Sequence, residues 1–182
     1  VCSSDLGGPA ARSLIGRRRS VDFDALYDEV FPTLFRYCHR LTGDADAAED
    51  VAQESFVRLL ERGVTGEPGQ LRVWLFKTAT HRVRDRWRVS TNRQRLLEIH
   101  PVSPEAAPSA EDELTRAEDR KRVRGALDTL DPRDRELLLM REEGFSYREI
   151  ADAVGVSATS VGTLLVRAQK RFRDAWDESE TA

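Results

Sequence analysis

Long hydrophobic runs are missing from this sequence. No stretch approaches the roughly 18 apolar residues of a membrane-crossing helix, so no membrane insertion is expected. Cysteine is nearly absent: Cys2 and Cys38 stand far apart, with no CxxC and no Cys/His spacing suited to a metal. His39 adjoins Cys38, but neighbours on a helix point about 100° apart and make a poor ligand pair. No metal and no cofactor is therefore expected, and Cys38 reads as a buried thiol in a reduced, cytoplasmic protein. Strand-like alternation is also scarce. Aromatics supply 7 % of the 182 residues against 34 % charged ones, which leaves a modest core and suits small helical domains. The expected fold class is all-α.

A net charge of −3 conceals strong asymmetry. From Asp22 to Arg62 ten acids face four arginines, a net of −6. From His81 to Arg95 six arginines face Asp85 alone, a net of +5. From Leu96 to Leu114 there are five acids and no lysine or arginine. Blocks of this kind imply surfaces with different partners.

Helix signals divide the chain in two. Residues 1–20 are Gly- and Arg-rich, lack a signal-peptide apolar stretch and are expected to be a disordered leader outside the fold. Residues 21–89 hold three expected helices. The first runs from Asp22 toward Gly43, with Pro32 expected to kink or split it. The second covers about Asp46 to Arg62, with Ala48, Val51, Ala52, Ser55 and Leu59 on one stripe. Gly63 to Gln70 reads as a loop, and the third helix spans about Leu71 to Val89. Residues 90–110, with Pro101, Pro104 and Pro108, read as a flexible linker. A second helical domain is expected over 111–178. Its signals are a capping box from Ser109 to Asp112, Asp131-Pro132 at a helix start, and a second box of Ser146 and Glu149. Ser157 should cap the last long helix.

Tyr147 to Val166 has the pattern of a helix-turn-helix. Ala151 is small where two helices would cross, and Gly155 follows in the turn, where positive φ is needed. Ile150, Val154, Val156, Val161 and Leu164 are the apolar anchors. Ser157, Thr159, Ser160 and Thr163 lie where such helices meet base edges, with Arg167, Lys170, Arg171 and Arg173 beyond them for phosphates. On the third helix Lys77, His81, Arg84 and Arg88 form a basic stripe bordered by Trp74 and Thr78. Cations beside an aromatic suit a strand whose bases are unstacked.

These segments resemble, in family order, the bacterial RNA polymerase sigma factors of the small extracytoplasmic-function (ECF) type. Leu71-Arg-Val-Trp-Leu-Phe-Lys-Thr-Ala-Thr-His81-Arg-Val-Arg-Asp85-Arg-Trp-Arg88 is similar to their promoter-melting and minus-ten-reading segment. Asp46-Ala-Ala-Glu49-Asp50-Val-Ala-Gln53-Glu54-Ser-Phe56-Val-Arg58 resembles their helix that binds core polymerase. Asp131 to Arg141, Gly144 to Ala151 and the helix after Ser157 resemble their minus-thirty-five-binding domain. His81 stands where the family often has asparagine, and Gly162 and Leu164 stand where it often has basic residues.

The resemblance implies two small helical domains, a region 2 bundle and a region 4 helix-turn-helix, and a protein that initiates transcription and is not an enzyme. It implies minus-ten contacts by Trp74, Lys77, Thr78, His81, Arg84, Asp85 and Arg88. Minus-thirty-five contacts fall to Arg148, Ser157, Thr159, Ser160, Thr163, Arg167, Lys170 and Arg171. Polymerase contacts fall to Asp46, Glu49, Asp50, Gln53, Glu54 and Phe56. The implied partners are promoter DNA and core polymerase, through its beta-prime clamp and beta flap. The linker would thread toward the active cleft, and the Gly63 to Gln70 loop would receive a flipped base. Whether an anti-sigma factor joins them stays open. Two other readings stand beside this one. A helix-turn-helix regulator could act without polymerase. A metal-dependent hydrolase could use Asp44, Asp46, Glu49 and Asp50, although acids opening a helix are already favoured by its dipole.

Overall fold

The computed structural model describes residues 22–97 and 111–180, which form seven α-helices and no strand. The expected leader over 1–20, Ser109 and the proline-rich part of the expected linker lie outside the described residues.

Helix α1 spans Phe23–Thr42, capped by the Asp22 carboxylate and closed by Gly43 at φ 78°. Its inner stripe buries Leu26, Val30, Leu34, Tyr37, Cys38 and Leu41. Pro32 lies inside α1 yet does not split it, contrary to one expectation. The ring removes one backbone donor, but Pro32 is exposed, while Val30 and Leu34 beside it are held in the core. The neighbouring Thr33 hydroxyl donates to the Val30 carbonyl at 2.8 Å. Packing on both sides outweighs one lost hydrogen bond.

Helix α2 spans Ala45–Glu61 behind the Asp44 cap. Helix α3 covers Pro68–Leu97 and exceeds its expected limits at both ends. At its start Pro68 occupies the first turn, where a missing N–H costs nothing. The Gln70 side chain reaches back to accept from the Glu67 N–H at 3.1 Å, half of a capping box. At its end neither proline nor glycine interrupts residues 90–97, so the helix continues into what reads as linker.

The remaining helices are α4 Glu111–Asp128, α5 Pro132–Glu142, α6 Tyr147–Val154 and α7 Ala158–Glu180. The Ser146–Glu149 capping box forms in both directions. Asp131 makes no side-chain cap for α5; its carboxylate accepts from Arg171 at 3.1 Å.

Helices α1–α3 pack on one another, as do α4–α7, and the two bundles also meet: α6 lies on α3 and α5 on α1. One apolar cluster runs through both, with Phe76 of α3 4.9 Å from Phe145 between ring centres. The interior also holds a run of charge on α5. Asp134, Arg135 and Glu136 are 6 %, 5 % and 2 % exposed, and each needs a partner. Asp134 takes Arg171 at 2.5 Å. Arg135 reaches Asp128 at 3.1 Å, donates to the Leu41 carbonyl and lies over the Trp87 ring. Glu136 takes Arg84.

Candidate nucleic-acid and polymerase interface

Helices α6 and α7 meet at 88°, the near-perpendicular crossing of a helix-turn-helix. Ala151 is buried at the crossing and Gly155 turns the chain at φ 76°. Ile150, Val154 and Val161 are buried as expected; Leu164 is only half-buried, and Leu165 and Ala168 take the deeper positions. Tyr147, about half exposed, lies beside Gly162, where a Cβ would stand 3.4 Å from its ring. A Cβ at that position would make only ordinary contact with the ring, so Tyr147 does not by itself require the glycine.

Along α7, Thr159, Ser160, Thr163, Arg167 and Lys170 are exposed, as is Arg148 on α6. Ser157 is spent locally. Its hydroxyl accepts from the Ser160 N–H at 3.2 Å and lies 2.6 Å from the Ser160 hydroxyl. Arg171 is also engaged, holding Asp131 and Asp134. Adjacent cations at 170 and 171 therefore differ in role.

On α3 the expected stripe divides. His81, Asp85 and Arg88 are exposed, whereas Trp74 and Thr78 are half-buried, Trp74 against the core. Lys77 pairs with Asp152 of α6 at 2.6 Å. Arg84 makes a two-pronged pair with Glu136 and also donates to the Val154 carbonyl at 3.2 Å. The Glu136 hydrogen bond is the main reason that its guanidinium holds its proton even more firmly than usual. Arg72, which sequence reasoning passed over, stacks against Phe76 and Phe145 and donates to the Glu143 carbonyl at 2.9 Å. Its i,i+4 spacing to Phe76 is ordinary for a helix, and its other partners, Glu143 and Phe145, lie in the other bundle, where sequence spacing gives no sign of them.

On α2, Asp46, Glu49, Asp50 and Gln53 are exposed. Gln53 donates to Glu49 at 2.8 Å, and Asp50 accepts from Arg86 of α3 at 3.1 Å. Glu54 is held by Arg82 and Arg58, and the Arg82 hydrogen bond, first among the causes, keeps its carboxyl below the usual range. Phe56 corrects the expectation of a surface residue. It is 2 % exposed, edge-on to Phe23 at 5.9 Å and tilted on Tyr27 at 4.9 Å, so it belongs to the core. Among the described residues no His, Cys, Asp and Glu side chains gather as a metal cluster.

The expected base-receiving loop borders a groove of about 630 Å³. Glu67, Gly69, Gln70 and Val73 form one wall; Gly144, Phe145 and Glu149 of the other bundle form the opposite one.

Comparison with known proteins agrees with this organisation. Residues 26–93 match the family model of sigma-70 region 2, and residues 120–172 that of sigma-70 region 4. The chain is 34 % identical over 154 residues to the ECF RNA polymerase sigma factor SigL of Mycobacterium tuberculosis, covering 82 % of this chain and 85 % of that one. It is 30 % identical to SigE of Mycolicibacterium smegmatis, covering 88 % of this chain but only 64 % of the relative's length. In fold it is similar to the sigma factor RpoE of Bartonella quintana, solved with the anti-sigma factor NepR. That match has a TM-score of 0.69 and 21 % identity over 86 % of this chain and 97 % of the other. It is also similar to CnrH, solved with the cytosolic domain of CnrY, with a TM-score of 0.62 and 20 % identity over 86 % and 88 %. The order of the two matched regions, the helix-turn-helix geometry and the SigL relationship lead to one conclusion: the chain belongs to the ECF sigma factors of the sigma-70 family.

Proposed function

We propose that this chain directs core RNA polymerase to specific promoters and opens them without making or breaking a covalent bond itself. The observation that carries the reading is the presence of two DNA-suited surfaces on one chain. On α7, the second helix of the helix-turn-helix, Thr159, Thr163, Arg167 and Lys170 recur along one exposed side, the arrangement that reads a duplex major groove. On α3, exposed His81 and Arg88 and half-buried Trp74 recur at seven-residue spacing along the helix, which suits unpaired bases and their backbone. The α7 surface takes the minus-thirty-five duplex and α3 takes the melted minus-ten strand. Binding of unpaired bases drives opening.

The exposed acids Asp46, Glu49 and Asp50 with Gln53 form the face for the polymerase clamp, and the second bundle meets the beta flap. An anti-sigma protein is a further partner, since the RpoE relative of the same fold was captured with one. Residues 21–89 and 111–178 are the corresponding functional units, working in the cytoplasm.

Run-off transcription with core polymerase on a genomic fragment library tests the reading. Discrete transcripts that need this chain are expected. Duplex binding without any transcript would favour a regulator that acts without polymerase.

A further inference from the structure

The charged contacts between the bundles have one polarity. Arg40, Arg72, Lys77 and Arg84 stand on α1 and α3, and they meet Glu142, Glu143, Asp152 and Glu136 of the other bundle. Arg135 and Arg124 reach the other way: across the contact Arg135 meets the Leu41 carbonyl and the Trp87 ring, and Arg124 lies beside Gly43, while the acid partner of each, Asp128, is in their own bundle. Two of the four cations, Lys77 and Arg84, belong to the stripe proposed above for unpaired DNA.

A flat ring accompanies the acids. Phe145 packs 4.9 Å from Phe76, with the Arg72 guanidinium 4.4 Å from its centre. An unpaired strand presents negative charges and flat rings together, and α5, α6 and the turn between them present the same pair of features to the same helix. Helix α7 takes no large part in the contact. It packs on α4, α5 and α6 and keeps Thr163, Arg167 and Lys170 exposed.

We infer that the acidic face of α5 and α6 is a docking surface for α3 that imitates melted DNA. The second bundle and the unpaired promoter strand then compete for Lys77 and Arg84. The inference rests on the assignment of α3 to unpaired DNA and deepens it. Away from polymerase the chain is closed and holds single strands weakly, while α7 remains open to duplex. Glu136, 2 % exposed, ties closure to Arg84 most strongly, because a buried carboxylate without its partner is costly. The Lys77–Asp152 and Arg40–Glu142 pairs are more exposed and yield to salt.

The test uses the full chain carrying Glu142→Gln, Glu143→Gln and Asp152→Asn, which leaves every α3 residue in place. X-ray scattering should show a larger radius of gyration. A short single-stranded oligonucleotide should bind about tenfold more tightly, as when the competent fraction rises from about a tenth to nearly all. Should the triple variant stay compact, Glu136→Gln is added; a folded quadruple variant that is still compact overturns the inference. Opening without tighter binding also overturns it, and Arg88→Ala in the opened chain then locates the fault. If Arg88→Ala weakens the oligonucleotide, α3 does hold DNA and only the competition is wrong. If it changes nothing, the assignment of α3 to DNA has failed and the inference falls with it.

Discussion

Arg86 of α3 holds Asp50 of α2 at 3.1 Å and donates to the Ala47 carbonyl at the same distance, joining the basic helix to the acidic one. The Asp50 side chain is still 67 % exposed, so the pair orients the carboxylate without hiding it. Asp50→Arg should weaken binding to core polymerase in a pull-down titration. Because exposed pairs contribute at most about 1 kcal/mol, the unfolding midpoint should barely move. Unchanged core affinity would remove α2 from the polymerase interface.

Lys170 and Arg171 adjoin in sequence and should differ in effect. Lys170→Ala should weaken duplex binding on all sequences and lower the salt slope by roughly one phosphate contact. Arg171→Ala strips the partner from Asp134, whose side chain is 9 % exposed. Its main effect should be a loss of about 1–3 kcal/mol of stability, read by urea unfolding. The reverse pattern would mean that α7 meets DNA by another face.

Trp74 is packed against the core and also borders the exposed part of α3. Trp74→Ala should therefore lower the melting temperature and also reduce open complex, seen as lost permanganate reactivity at unpaired thymines. Base–aromatic contacts are worth about 1–3 kcal/mol, so a premelted bubble should restore part of the transcription. Lower stability with no rescue by the bubble would leave Trp74 a core residue only.

Tyr37 and Thr80 join α1 to α3 by a buried 2.7 Å hydrogen bond, and burial drives the phenol pKa upward. Thr80 also donates to the Phe76 carbonyl at 2.8 Å, so it keeps one partner when the phenol is lost. Tyr37→Phe should cost about 1 kcal/mol. A loss several times larger in urea unfolding would show that the phenol does more than join these helices.

Glu54 gives a pH dependence. Its folded carboxyl lies below its ordinary range, first because Arg82 donates to it. It therefore binds fewer protons folded than unfolded as pH falls below about 5. Its stabilising contribution is present above the unfolded pKa and is lost as pH falls through the folded one. Glu54→Gln should flatten the acid limb of a urea-midpoint profile between about pH 5 and 3. A profile parallel to that of the unaltered chain would show that the pair has no part in acid unfolding.

The helices were legible in the sequence because their causes are local. Asp22, Asp44, the Ser146–Glu149 box and Gly155 act within four residues of themselves, and the apolar stripes repeat every turn. The helix-turn-helix followed from the same short-range spacings, as did the identity of most exposed residues on α7. Pro32 misled because its effect depends on which side of α1 faces water. Phe56 misled because one side of α2 is shared between solvent and an aromatic cluster supplied by α1. Only the tertiary structure decided where the charges of α5 go. Asp134, Arg135 and Glu136 are three adjacent charges, yet they are buried, and their partners include residues 37 and 52 positions away in sequence. Spacing within a helix dictates which side a residue occupies, through the fixed rotation per residue. It carries no information about which opposite charge a second bundle will bring to that side. That choice is made when burial forces each charge to find a partner, and it is why Lys77 and Arg84 meet carboxylates in this structure.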